Sequence, residues 1–170
     1  YCYVAEFASE QTLRHSRIAM IYEVSNEIQA NDLLLRQVLG DQGRAFALLL
    51  TQLRDEARQG GKWTECAGFA VALGSLCDAL AAVVDDIRER SGEDSEYPYR
   101  AAGDFLQLCG MTLLALAWAR AARVSRALPE EDPLRAGKLQ SAGFFFNYLP
   151  SRVAQHLAAI EGARAALAFV

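Results

Sequence analysis

The chain has 170 residues, 52% of them hydrophobic, and a net charge of −4. That length and balance suit one domain, or a domain fragment with an extension, able to bury a core without staples, and they exclude a disordered segment. Lys and Arg are scattered among the acids, so no basic stripe is available to neutralise phosphates, which argues against nucleic acid.

Every long segment has helical period and none alternates as a strand, so the predicted fold is all-α. A first helix is predicted over Val4 to about Arg14, followed by a connector from Ser16 to Glu23. Ser25 can cap a second helix to Leu39 with Ile28, Leu35 and Leu39 on one face. Gly40 and Gly43 interrupt it, and a third helix, Arg44 to Arg58, carries Phe46, Leu50, Leu53 and Ala57. Gly60-Gly61 is the strongest break in the chain. Beyond it Thr64 can cap a long helix to about Arg90, striped by Phe69, Leu73, Leu76, Leu80, Val83 and Ile87. Ser91 to Pro98 is polar and turn-forming, and a further helix follows from Tyr99 to about Leu128. Asp132 before Pro133 opens a last helix towards Val170, bent where Pro150 removes a backbone donor.

Two stretches approach membrane character, Cys66 to Val84 and Phe105 to Ala119. The first contains Asp78 and the second is shorter than the ~20 residues a span requires, so both read as bundle helices and no membrane span is expected. The cysteines Cys2, Cys66, Cys77 and Cys109 show no CxxC spacing, and only His15 and His156 accompany them, so no metal site is expected. Reduced thiols inside apolar helices suit a cytoplasmic setting. No secretory signal is visible, and a chain opening on Tyr1 is read as lacking its true N-terminus.

The residues with most chemical content lie at Ile21-Tyr22-Glu23-Val24-Ser25. By position alone, Glu23 is a solvated glutamate favoured by a helix N-terminus. Its apolar neighbours Met20, Ile21, Tyr22 and Val24 point instead to a desolvated carboxylate, whose pKa burial raises while the helix terminus lowers it. Arg36 reads equally as a nucleotide contact or a solvated helix charge. Both histidines read as surface or packing residues, and Trp63 and Trp118 as core or interface anchors. Asp78, within an apolar stripe, is expected to pair with Arg120 or Arg123. The Phe144-Phe145-Phe146 triplet points three ways around its helix and suggests contact on several sides.

Ile21-Tyr22-Glu23, then Asn26 and Ile28-Gln29, resemble the Ile-Tyr-Glu-Gly-Thr-x-x-Ile-Gln run of the acyl-CoA dehydrogenases. Leu13-Arg14-His15-Ser16-Arg17-Ile18 stands where that family has a Leu-Arg-Asp-Ala-Arg-Ile type of run. Leu33 to Arg44, Pro98-Tyr99-Arg100, Asp104 to Gly110, Ala117-Trp118 and Lys138 to Tyr148 are similar to a subgroup with an extra C-terminal helical domain. The resemblance implies that residues 1–59 end the catalytic domain and that 60–170 form the extension. It implies that Glu23 is the base removing the α-proton of an acyl-CoA while FAD takes the β-hydrogen as hydride. The thioester oxygen would be held by the Glu23 N–H and a flavin ribityl hydroxyl. Tyr22 and Val24 would line the substrate pocket, and Ser25 and Glu27 would approach the FAD adenine end. The implied partners are the remaining acyl-CoA dehydrogenase domains, further copies in a homo-oligomer, and an electron-transfer flavoprotein.

Two departures stand out. The family's glycine after the base is Val24, and glycine alone combines close approach with φ > 0. Glu27 adds negative charge where an anionic cofactor would lie. These features favour a competing reading, a non-catalytic scaffold or oligomerisation module. An oxidase using oxygen in place of the carrier is a third reading.

Overall fold

A computed structural model of the chain describes residues 11–12, 14–16 and 26–165. All secondary structure among these residues is helical, as the hydrophobic periodicity predicts. Residues 11–12 and 14–16 are helical, and the rest of the first predicted helix lies outside the described residues. Helix α1 spans Asn26–Asn31 and runs on as a π-helical stretch, Asp32–Val38, and a 3-10 turn, Leu39–Asp41. Then come α2 (Arg44–Gly60), α3 (Thr64–Arg90), α4 (Tyr97–Ser125) and α5 (Pro133–Gly162).

The second predicted helix keeps its position but turns a different face to the core. Ala30, Leu34 and Val38 are buried, whereas Ile28 is 67% exposed. The π-helical stretch is the cause. Its wider turn, closed by i→i+5 bonds, brings residues four apart nearly into line, where an α-helix would have aligned Ile28, Leu35 and Leu39. The chain then reverses through Gln42 and Gly43, both left-handed (φ 62° and 78°). Gly43 N–H donates to the Val38 carbonyl at 2.8 Å, and Asp41 Oδ2 accepts from the Ala45 N–H at 2.8 Å to support the start of α2.

Two further starts differ from the reading of sequence alone. Trp63, extended at φ −123°, occupies the N-cap of α3 without a side-chain cap, and Thr64 is already helical. The Gly60-Gly61 turn fixes this, because Trp63 N–H closes on the Gly60 carbonyl at 3.1 Å and the first helical turn closes on Trp63. Helix α4 begins at Tyr97, two residues early, since Pro98 in a first turn forfeits no helical bond. At α5, Asp132 Oδ1 accepts the Leu134 N–H at 2.8 Å, the capped start that Asp132-Pro133 predicts. Helix α5 continues through Pro150 to Gly162.

Helix α4 is the centre of the bundle and packs against α1 and its π extension, α2, α3 and α5. The stripes predicted on α2 and α3 are buried as expected, except that Phe69 is half-buried. Phe46 of α2 meets Phe105 of α4 with ring centroids 5.6 Å apart. Helices α3 and α4 are long and apolar enough by composition to cross a membrane, and in the bundle they pack on each other. Buried Thr112 and Ser125 satisfy their hydroxyls on the Leu108 and Ala122 carbonyls of their own helix.

The phenylalanine triplet divides cleanly. Phe146 is buried and stacks on Phe69 of α3 at 4.8 Å, Phe145 is half-buried, and Phe144 is 67% exposed beside Tyr148. Phe146→Ala is therefore expected to lower the unfolding free energy by about 3 kcal/mol through cavity formation. Phe144→Ala should stay within about 0.5 kcal/mol of the parent. Urea denaturation followed by far-UV circular dichroism decides, and equal losses for the two would contradict this packing.

Candidate active-site segment and its polar surroundings

Of the candidate site residues, Tyr22, Glu23, Val24 and Ser25 lie outside the described residues. Helix α1 begins at Asn26, three positions after Glu23, and is held on α4 through buried Ala30 and, in its π extension, Leu34 and Val38. Glu27 stands exposed in the first turn of α1 with its carboxylate over Gly103 of α4. A Cβ at Gly103 would lie 3.6 Å from Glu27 Oε1, an ordinary van der Waals contact, so the carboxylate rests close to the α4 backbone there.

Glu27 is the one candidate cofactor residue among those described. A carboxylate accepts hydrogen bonds and donates none. It fits the hydroxyl or amino hydrogens of a nucleotide's sugar and base and repels the phosphates. Arg36 does not supply the missing positive charge. Its guanidinium is engaged by Asp32 one turn earlier, with Nη2 2.9 Å from Oδ2, on an exposed face. That pairing identifies it as a solvated helix charge.

The expected partner of Asp78 is corrected. Asp78 is exposed and pairs with Arg54 at 2.8 Å, while Arg120 and Arg123 converge on Glu56. Helix α3 turns Asp78 towards α2, one position round from buried Cys77, so the α4 arginines cannot reach it. Glu56 is the acid that sequence reading missed. Its side chain is 6% exposed and takes Arg123 Nε at 2.6 Å and Arg120 Nη2 at 3.1 Å. The signal was present, since Glu56 follows Leu53 by three on the apolar stripe of α2 and an acid there demands a partner.

Three more pairings join helices. Glu65 takes Arg126 at 3.0 Å and Arg135 at 3.1 Å, and Arg126 lies 3.7 Å over the Trp63 ring. Trp63 is thus a half-exposed stacking partner and no core anchor. Asp86 accepts the Tyr97 hydroxyl at 2.7 Å and pairs with Arg90 and Arg164, tying the end of α3 to the start of α4 and to the chain after α5. His156 Nδ1 lies 2.7 Å from Asp104 Oδ1, a packing pair between α5 and α4, while His15 is exposed. Among the described residues no three His, Cys, Asp or Glu gather as a metal site.

The family described as "Acetyl-CoA dehydrogenase C-terminal like" matches residues 42–169, which covers all of α2 to α5. The chain belongs to this family. A stretch of 119 residues, 68% of the chain, is also 35% identical to 3-methylmercaptopropionyl-CoA dehydrogenase of Ruegeria pomeroyi. The match spans about a fifth (20%) of that relative's length. Membership of an acyl-CoA dehydrogenase C-terminal family agrees with the helical fold and with the resemblance seen at Pro98-Tyr99-Arg100, Asp104 to Gly110, Ala117-Trp118 and Lys138 to Tyr148.

The carboxylates of this C-terminal bundle make its stability acid-sensitive. Burial raises the pKa of Glu56, but the hydrogen bonds and charges of Arg123 and Arg120 together outweigh it and hold the carboxyl below the usual range. Asp86 is raised by burial and pulled lower by Arg90, Tyr97 and Arg164. A folded pKa below the unfolded one contributes stability that is present above the unfolded value and is lost as pH falls through the folded one. The melting temperature should therefore drop as pH falls below the ordinary carboxylate range. Glu56→Gln should lower stability by about 1–3 kcal/mol at pH 7 and make the acid limb shallower. Melts between pH 7 and pH 3 test this, and parallel profiles for parent and variant would remove Glu56 from the effect. Burial pushes the Cys109 thiol up to about 12. Cys109 is half-buried, so iodoacetamide at pH 8 should alkylate it more slowly in the folded chain than in the unfolded one, and equal rates would contradict the raised pKa.

Proposed function

We propose that the chain is the C-terminal part of an FAD-dependent acyl-CoA dehydrogenase that converts an acyl-CoA thioester to the trans-2-enoyl-CoA. The observation that carries the reading is the family match over residues 42–169, which begins 19 positions after Glu23. Residues 1–59 would end the catalytic domain and residues 60–170 would form its helical extension. The named relative acts, by its name, on a short thioether acyl-CoA, which makes a small acyl group a reasonable first substrate to try. The remaining dehydrogenase domains, further copies of the enzyme and an electron-transfer flavoprotein would be its partners. A cytoplasmic setting with reduced cysteines suits the reading.

In this reading the Glu23 carboxylate takes the α-proton, and its own backbone N–H donates to the thioester oxygen, where negative charge develops as that proton leaves. Tyr22 and Val24 wall the acyl group and exclude water. FAD, when bound, supplies the two-electron acceptor for the β-hydrogen. Ser25 and Glu27 would hold its adenosine end through the hydroxyl and the acceptor carboxylate, in line with the exposed position of Glu27 above Gly103. Anchoring of α1 on α4 through Ala30 gives this segment a rigid C-terminal neighbour.

In the intact enzyme, Glu23→Gln should retain FAD and acyl-CoA binding while turnover falls by about 10² or more. Near-parental turnover would remove Glu23 from the chemistry. Val24→Gly should change the ranking of acyl-CoA substrates across chain length and branching, and an unchanged ranking would make Val24 a neutral replacement. Flavin colour separates the scaffold reading, because a colourless intact protein that FAD cannot reconstitute would favour a non-catalytic module.

A further inference from the structure

Helix α5 has a charge pattern unlike the rest of this acidic chain. From Pro133 to Ile160 it contains no Asp or Glu, and it carries Arg135, Lys138, Arg152 and His156. Two of these are internally engaged, Arg135 by Glu65 and His156 by Asp104. Of the other two, Arg152 lines a groove between α4 and α5 and Lys138 stands at its rim beside Trp118, 6.0 Å from the ring centre. Neither has an ion-pair partner among the described residues. Lys138 and Arg152 are fourteen positions apart, close to a whole number of helical turns, so they share a face and stand ~21 Å apart along the axis.

The groove between them has a volume of about 820 Å³ and is walled by Met111, Trp118, Phe144, Phe145 and Tyr148. Phe144 and Tyr148 are 67% and 62% exposed and form an aromatic pair at 4.7 Å. Aromatic, Met and Arg side chains around a concave apolar strip are the composition of a protein-interface core. The charges select the occupant. Two copies meeting through this face would set cations against a helix without acids, which disfavours self-association here. A lipid surface calls for a convex apolar ridge, whereas this strip is concave and accepts a convex rod.

We propose that the α4–α5 groove is a docking site for an amphipathic helix of a partner protein. The helix would be about four turns long, apolar along one side and acidic at both ends, the ends meeting Lys138 and Arg152. This inference is independent of the assignment of Glu23.

The test uses the full chain and two labelled synthetic helical peptides with the same leucine stripe, one carrying glutamates at both ends and the other lysines. Fluorescence anisotropy should show the glutamate peptide binding at least ~10-fold more tightly, with the margin shrinking as salt screens the pairs. The double variant Lys138→Glu/Arg152→Glu should reverse the preference. Phe144→Ala/Tyr148→Ala should weaken both peptides by ~10-fold or more. All four residues are exposed, and circular dichroism should confirm parental helicity. The proposal is overturned by equal binding of the two peptides, by no binding, or by binding indifferent to these variants. Association with phosphatidylserine vesicles, or self-association in sedimentation lost in the Phe144/Tyr148 variant, would also overturn it in favour of a lipid or self-interface.

Discussion

The bundle depends on one helix being thin. Four elements can pack around α4 only if its side chains let their backbones approach, since interaxial distance follows the residues at the contact. Helix α4 meets that condition with Ala101, Ala102, Ala115, Ala119 and Ala122, all buried, and places bulk at Phe105 and Leu108 where the neighbours leave space. The surrounding helices supply the volume instead, with Phe46, Leu50 and Leu53 from α2 and Leu73, Leu76 and Leu80 from α3. Large and small residues thus alternate between centre and periphery, the arrangement that fills a core without strain.

Carboxylates fix how the helices slide against one another. Glu56 joins α2 to α4, Glu65 joins α3 to the end of α4 and to α5, and Asp104 joins α4 to α5. Apolar stripes tolerate a shift along the axis better than paired charges do, because a shifted carboxylate loses specific donors. The exposed pairs contribute little free energy individually. Glu56 differs, because its burial makes the two arginines obligatory.

The sequence announces what is local. The Gly60-Gly61 reversal, the Asp132-Pro133 start and the stripes on α2 and α3 follow from spacing and turn chemistry within a few residues. Partners across the bundle are not local, and Asp78 shows the limit. Its helix and its need for a cation were readable, but whether α2 or α4 would supply the cation depended on the rotation of α3. The π-helical stretch was hidden for another reason, since the run Leu33-Leu34-Leu35 offers an apolar residue to the core at either register. For the candidate site, the Tyr22-Glu23 pair carries its meaning through resemblance. The structure adds its neighbour, an exposed Glu27 above Gly103.

That π-helical stretch between Asp32 and Val38 also acts as a rotational spacer. Relative to an α-helix, its wider turns accommodate an extra residue, and one residue of α-helix corresponds to about 100° about the axis. Helix α1 is therefore aimed by the length of this stretch as much as by its own sequence. Loss of a single residue there would return the chain to α-helical register and swing Glu27 away from Gly103, with no change to any side chain in the candidate site. The placement of Glu27 is thus stored in backbone winding that begins five residues, about one and a half turns, after it.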